Sequence, residues 1–147
     1  MLTQLLTSAL REKRTNVTQE NRRRAVQTDS APTPAFSYSQ GILSGDLLFV
    51  SGQVPVDPLT KGVPSGIQNQ VRRALDNVAA IAEAAGARIA DAVRVGVYLT
   101  DLNDFEEMDS AYREYFEEPL PARTTIGVGI RGFAVEIDAV IAMPSRR

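Results

Sequence analysis

The stretch FAVEIDAVIAM constrains this chain most: Val135, Ile137, Ala139 and Ile141 fall on one side of an extended backbone, and Glu136, Asp138, Val140 and Ala142 on the other. It reads as a strand with one wholly apolar face, which other elements must cover. Two stretches of helical period can supply the cover. In the first, Ile67, Val71, Leu75, Val78, Ala82 and Ala85 recur at helical intervals, Ser65 and Gln68 have capping-box spacing, and Gly86 stands where a left-handed cap closes a helix. The second, NDFEEMDSAYREYFEE, offers Asn103 and Glu106 as cap and capping partner, with Phe105, Met108, Tyr112 and Phe116 along one stripe that reads as core.

Further strands surround these helices. FSYSQGILSGDLLFVSG predicts a hairpin about the turn signal Ser44-Gly45-Asp46, with Leu47, Phe49 and Ser51 alternating against Leu48, Val50 and Gly52. In AVRVGVYLT, Val93, Val95, Val97 and Leu99 form an apolar face against Arg94, Gly96, Tyr98 and Thr100. In PLPARTTIGVGI, Thr125, Gly127 and Gly129 alternate with Ile126, Val128 and Ile130, and Arg123 stands at the mouth. The order strand, strand, helix, strand, helix, strand, strand predicts an α+β sheet with both helices on one face. Val140, Ala142 and the two glycines of the preceding strand are then expected on the other face, which is too apolar for open water and calls for another copy of the chain.

Composition removes whole classes of function. The 147 residues, 44% hydrophobic and 23% charged, suit one domain. Sixteen basic against 18 acidic residues, net −2, leave no electrostatic footprint for nucleic acid or an anionic membrane. No cysteine and no histidine are present, so a Cys/His metal cluster, a thiol nucleophile and a Ser-His-acid triad are excluded. Acid–base work falls to carboxylates, Tyr, Lys or water. No apolar run is long enough for a spanning helix.

Residues 1–35 are polar and read as an arm, ending in NRRRAVQTDSAPTPA. Leu2, Leu5, Leu6, Ala9 and Leu10 followed by Arg11, Lys13 and Arg14 make a short amphipathic pattern, either a solvated tail or a mitochondrial presequence, though Glu12 and Glu20 oppose the latter. The expected compartment is the cytoplasm, with the mitochondrion as the alternative.

Four features carry possible chemistry. The Arg123 guanidinium, beside Thr124 and Thr125, is either a fork for a carboxylate or phosphate, or the partner of Glu118 or another acid. Glu136 in an apolar strand is costly unless paired or used; it is either salt-bridged to Arg123 or Arg131, or a residue that orients water. Tyr38 is an ordinary strand residue or a polar lid. DPLTKG has Asp57 and Thr60 spaced as if for a cation, but a Pro-led turn explains it and no metal is assigned.

Taken together, YSQGILSGDLLFVSGQVPVDPLTKG, ALDNVAAIAEAAGA, VYLTDLNDFEEMDSAY, LPARTT and VEIDAVIA resemble the Rid family, also called YjgF/YER057c/UK114, from about Arg24 to Met143. The resemblance implies an extension over residues 1–23 and one domain over 24–147. It also implies a chorismate mutase-like α+β fold, assembled as a homotrimeric barrel with helices outside and pockets between subunits. Members that keep the arginine of the PAR[ST] motif, here Arg123, hydrolyse reactive 2-imino acids to 2-keto acids and ammonia without cofactor or metal. Tyr38 matches the family's pocket tyrosine, Ser51 and Gly52 its Ser-Gly, and Glu136 its first strand carboxylate. On this matching Arg123 holds the substrate carboxylate beside Thr124, Glu136 orients water, and Tyr38, Ser51 and Gly52 shape the pocket. Asp109 stands where many members have Asn, and Phe36-Ser37 where they have Gly-Pro. These departures bear on substrate scope, so a non-catalytic carboxylate-binding regulator and a tailoring enzyme for bulkier imines stay open.

Overall fold

A computed structural model describes residues 22–145; the expectations for the amphipathic start lie outside that range. The strands are β1 (Arg24–Val26), β2 (Gly41–Ser44), β3 (Leu47–Gln53), β4 (Ala92–Leu99), β5 (Ala122–Gly127) and β6 (Val135–Ala142); the α-helices are α1 (Ile67–Ala84) and α2 (Phe105–Tyr112). One six-stranded sheet runs in the order β1-β2-β3-β6-β4-β5, antiparallel throughout except for the parallel pair β4–β5. The expected α+β sheet with two covering helices is what forms.

β6 is central because its alternation is uninterrupted: Val135, Ile137, Ala139 and Ile141 are buried, and the residues between them are only partly so. On α1, Ile67, Val71, Ala74, Leu75, Val78, Ile81 and Ala82 point into the same core. Burial of these side chains contributes roughly 1.5–3 kcal/mol for each large aliphatic group, which offsets the entropy of ordering the chain. Gly86 (φ 82°) ends α1 as expected: its N–H donates to the Glu83 carbonyl, and Ala87 donates to Ala82. Asn77, fully buried on α1, donates through Nδ2 to the Val54 and Val56 carbonyls and so ties down the loop after β3. In that loop the Asp57 carboxylate accepts from the Leu59 and Thr60 backbone, and these bonds hold its pKa below the usual carboxylate value.

Several local expectations change. Ser65 and Gln68 do not form a capping box, because α1 starts after Gly66 (φ 81°) and no side chain caps it. Asn103 does not cap α2; the Asp101 carboxylate accepts from the Asn103 N–H instead, starting a 3-10 turn ahead of the helix. In the Phe105 stripe, Met108, Tyr112 and Phe116 are buried but Phe105 is 39% exposed. A bulge at Val93 moves it out of the apolar face, and Ala92 takes its place opposite Ile141. A second irregularity between Val50 and Gln53 buries Gln53 opposite Ile137 and turns Gly52 toward the outer face.

The polar stretch before residue 35 is not an arm from Arg24 onward. β1 pairs with β2, Val26 and Ala31 are buried, and Gln40 holds the segment by donating to the carbonyls of Thr28, Ala31 and Pro32 while accepting from Thr28. Three residues are too short for a periodicity signal, and a lone buried glutamine leaves none. The strand after the second helix ends at Gly127, so Gly129 lies outside it. Gly127 faces Leu102, on the helix side of the sheet, so neither glycine lines the outer face. That face carries Leu47, Phe49 and Ile126, each more than a third exposed, with Val140 and Ala142.

Candidate active site

The candidate residues divide between the two faces of the sheet. Arg123 lies opposite Val95, whose other neighbour is Ala139; both neighbours are buried on the helix side. Arg123 therefore emerges at the edge strand beneath α2. There Nη1 donates to Asp109 Oδ1 at 2.7 Å, and the guanidinium carbon lies 4.6 Å from the Tyr112 ring centroid and 5.7 Å from that of Phe105. Phe105, Asp109 and Tyr112 are at i, i+4 and i+7, so one helical face supplies the whole cradle. The Arg123 and Asp109 side chains are 21% and 35% exposed, so the fork stays reachable while much of its motion is already lost. Tyr112 is buried, its hydroxyl has no partner among the described residues, and burial pushes its pKa up to about 12 against the opposing pull of Arg123.

Arg123 does pair with an acid, and the acid is Asp109, not Glu118. Sequence reading named Asp109 but missed the two aromatic rings, though the i, i+4, i+7 spacing carries that signal.

Glu136 lies on the outer face, opposite Tyr98 in β4. Among the described residues it has no ion pair, so the expected bridge to Arg123 or Arg131 does not form; Arg123 is across the sheet with Asp109. Its carboxylate occupies the space that a side chain on residue 52 would need: a Cβ at Gly52 would stand 2.0 Å from Oε1. Gly52 thus leaves room for the Glu136 carboxylate to lie against the β3 backbone, and the bulge in β3 is what turns it that way.

The Ser51 hydroxyl donates to the Ser39 carbonyl, and its N–H donates to Gln40. Ser51 thus fastens the segment that carries Tyr38, and its hydroxyl is already engaged. Tyr38 is half exposed and lines a cleft of about 140 Å³ with Ala25, Val26, Gln27 and Pro34. Thr124 lies opposite Gly96 on the outer face, away from its neighbour Arg123. One chain thus joins Gly52 with Glu136 and Arg123 with Asp109, but it does not bring the two groups together.

Sequence reading also missed a polar cluster on the outer face. Asp138 accepts from the Tyr98 hydroxyl (2.8 Å) and the Gly96 N–H (3.0 Å), and Arg94 lies 3.6 Å away. The hydrogen bond to Asp138, followed by burial, raises the Tyr98 pKa.

A single helix-covered sheet thus carries an arginine held by an acid and two rings, and a strand carboxylate with no ion pair among the described residues. The chain belongs to the Rid (YjgF) family; residues 28–143 match the family model described as Endoribonuclease L-PSP. It is 43% identical over 118 residues to a RutC family protein of Pyrococcus horikoshii, covering 78% of this chain and 94% of that one. It is 38% identical over 122 residues to the 2-iminobutanoate/2-iminopropanoate deaminase of Escherichia coli K12, covering 80% and 95%. The crystal structure of RidA from the Antarctic bacterium Psychrobacter sp. PAMC 21119 superposes with TM-score 0.78 at 35% identity, covering 82% of this chain and 99% of that one.

Proposed function

We propose that the protein is a hydrolytic deaminase of reactive 2-imino acids, working at a site completed by a second copy of the chain. The observation that carries this reading is the Arg123 fork, held by Asp109 and Tyr112 with its remaining donors unengaged among the described residues. A planar fork of this kind suits a carboxylate. The E. coli relative, named for the same substrate class, supports the choice of an imine as the reacting group.

The chemistry needs little else. A 2-imino acid is electrophilic at its imine carbon, so a positioned water and a proton carrier suffice. Water attacks that carbon, and Glu136 takes a proton from it as the carbon–oxygen bond forms. That proton passes to nitrogen to give a carbinolamine; the proton of its new hydroxyl then moves to nitrogen as the carbon–nitrogen bond breaks, and ammonia and the 2-keto acid leave. Arg123 holds the substrate carboxylate throughout.

Within one chain Arg123 and Glu136 face opposite ways, so the proposed site pairs the Arg123 side of one copy with the Gly52–Glu136 side of the next. Leu47, Phe49, Val140 and Ala142 give the outer face an apolar stripe for such a contact. A homotrimer, with each copy contributing its Arg123 half to one site and its Glu136 half to another, closes that head-to-tail arrangement into three sites. The test uses 2-iminopropanoate generated freshly in the assay, with ammonia release timed against the uncatalysed reaction. Acceleration by the wild type, lost in Arg123→Ala, is expected; no acceleration by the wild type removes the reading.

A further inference from the structure

We propose that Asp109 sets the charge selectivity of the Arg123 site, so that it admits 2-imino acids with one carboxylate and disfavours those with two; this rests on Arg123 being the carboxylate anchor. Asp109 meets Arg123 end-on, through Nη1 alone. A guanidinium has five N–H donors, so the Nε and Nη2 side remains available to an incoming carboxylate. The Tyr112 and Phe105 rings, 4.6 and 5.7 Å from the guanidinium carbon, restrict the motion of the group before a ligand arrives. The ligand carboxylate therefore shares one cation with a resident anion.

The Arg123–Asp109 pair is neutral before anything binds. One ligand carboxylate brings this pair to a single negative charge, matched by direct hydrogen bonds, and the Glu136 carboxylate that the next copy adds to the proposed site makes a further anion still less welcome. A second carboxylate on the same ligand finds Asp109, 35% exposed, at the site and no compensation from Arg123, whose charge is already shared. A neutral or hydrogen-bond-donating end, such as the imine N–H, finds an acceptor in Asp109 instead. The carboxylate at position 109 thus acts by repulsion as much as by holding the arginine.

The test uses the full-length protein and isothermal titration with two stable probes, 2-oxobutanoate (one carboxylate) and 2-oxoglutarate (two). The wild type is expected to prefer 2-oxobutanoate by about tenfold or more. Asp109→Asn, which keeps the shape and removes the charge, is expected to tighten 2-oxoglutarate by about fivefold or more and 2-oxobutanoate by less, narrowing the preference. Asp109→Ser must shift the preference the same way, and thermal melting of both variants checks that they fold. A preference unchanged in the folded variants, or both probes weakened equally, overturns the proposal by reducing Asp109 to a latch. If instead Arg123→Ala binds 2-oxobutanoate as the wild type does, the anchor reading itself falls.

Discussion

Gly52→Ala tests whether the placement of the Glu136 carboxylate matters to the reaction. The added Cβ would stand 2.0 Å from Oε1, 2.9 Å from Cδ and 3.1 Å from Cγ of Glu136, so the carboxylate has to retreat by about 1 Å or more. Because the clash is with the far end of a flexible side chain, the fold loses little: a strained rotamer costs about 0.5–1.5 kcal/mol. The reaction loses much more, since misplacing a reacting group by about 1 Å costs on the order of 10²-fold in rate. Initial rates of ammonia release from 2-iminopropanoate should therefore fall about 10²-fold in Gly52→Ala, with a melting temperature within a few degrees of wild type. Glu136→Gln should fall at least as far, and the double variant no further, because both substitutions remove one function. Wild-type rates in Gly52→Ala, or losses that multiply in the double variant, would refute the role given to Glu136.

Other predictions follow from buried polar groups. Tyr112→Phe removes a hydroxyl that has no partner among the described residues, so it should be neutral or stabilising, by up to about 1 kcal/mol in urea unfolding. Because the folded Tyr112 titrates near 12 and the unfolded one near 10, the unfolded state loses its proton first; stability is full below about pH 10 and falls as pH rises toward 12, a decline that Tyr112→Phe should lessen. Asn77→Ala leaves the buried ends of two carbonyl bonds unmet and should cost about 2–4 kcal/mol, read in the same unfolding curves. Gly96→Ala would put a Cβ 2.4 Å from Asp138 Oδ1 and 2.9 Å from the Tyr98 hydroxyl, breaking their network, so its melting temperature should drop by several degrees.

The parts of the fold legible in the sequence are those with long, unbroken periods. α1 and β6 carry eighteen and eight residues of consistent pattern and stand where their periods place them. What escaped is what periodicity cannot encode. A bulge at Val93 or Ser51-Gly52 adds one residue with no compositional mark, yet it reverses which side chains face the core. β1 depends on Val26 alone for burial and on Gln40, fourteen residues later, for its connecting segment. For the site, local pattern pointed to Arg123 and Glu136 but not to their relation. Their separation onto opposite faces appears only when β4 and β6 set the register, and the Asp109 partner only when α2 crosses β5.

Complementation between two inactive variants tests the central claim, that Arg123 of one copy works with Glu136 of another. Arg123→Ala and Glu136→Ala are each expected to be inactive on 2-iminopropanoate. When they are unfolded together at equal amounts and refolded, a site regains both residues only if an intact Arg123 copy abuts an intact Glu136 copy, which occurs in about a quarter of contacts under random mixing. The account predicts recovery of about a quarter of wild-type activity in the co-refolded sample and none when the separately refolded variants are combined on ice. Equal inactivity of both mixtures, with wild type recovering under the same protocol, would contradict it.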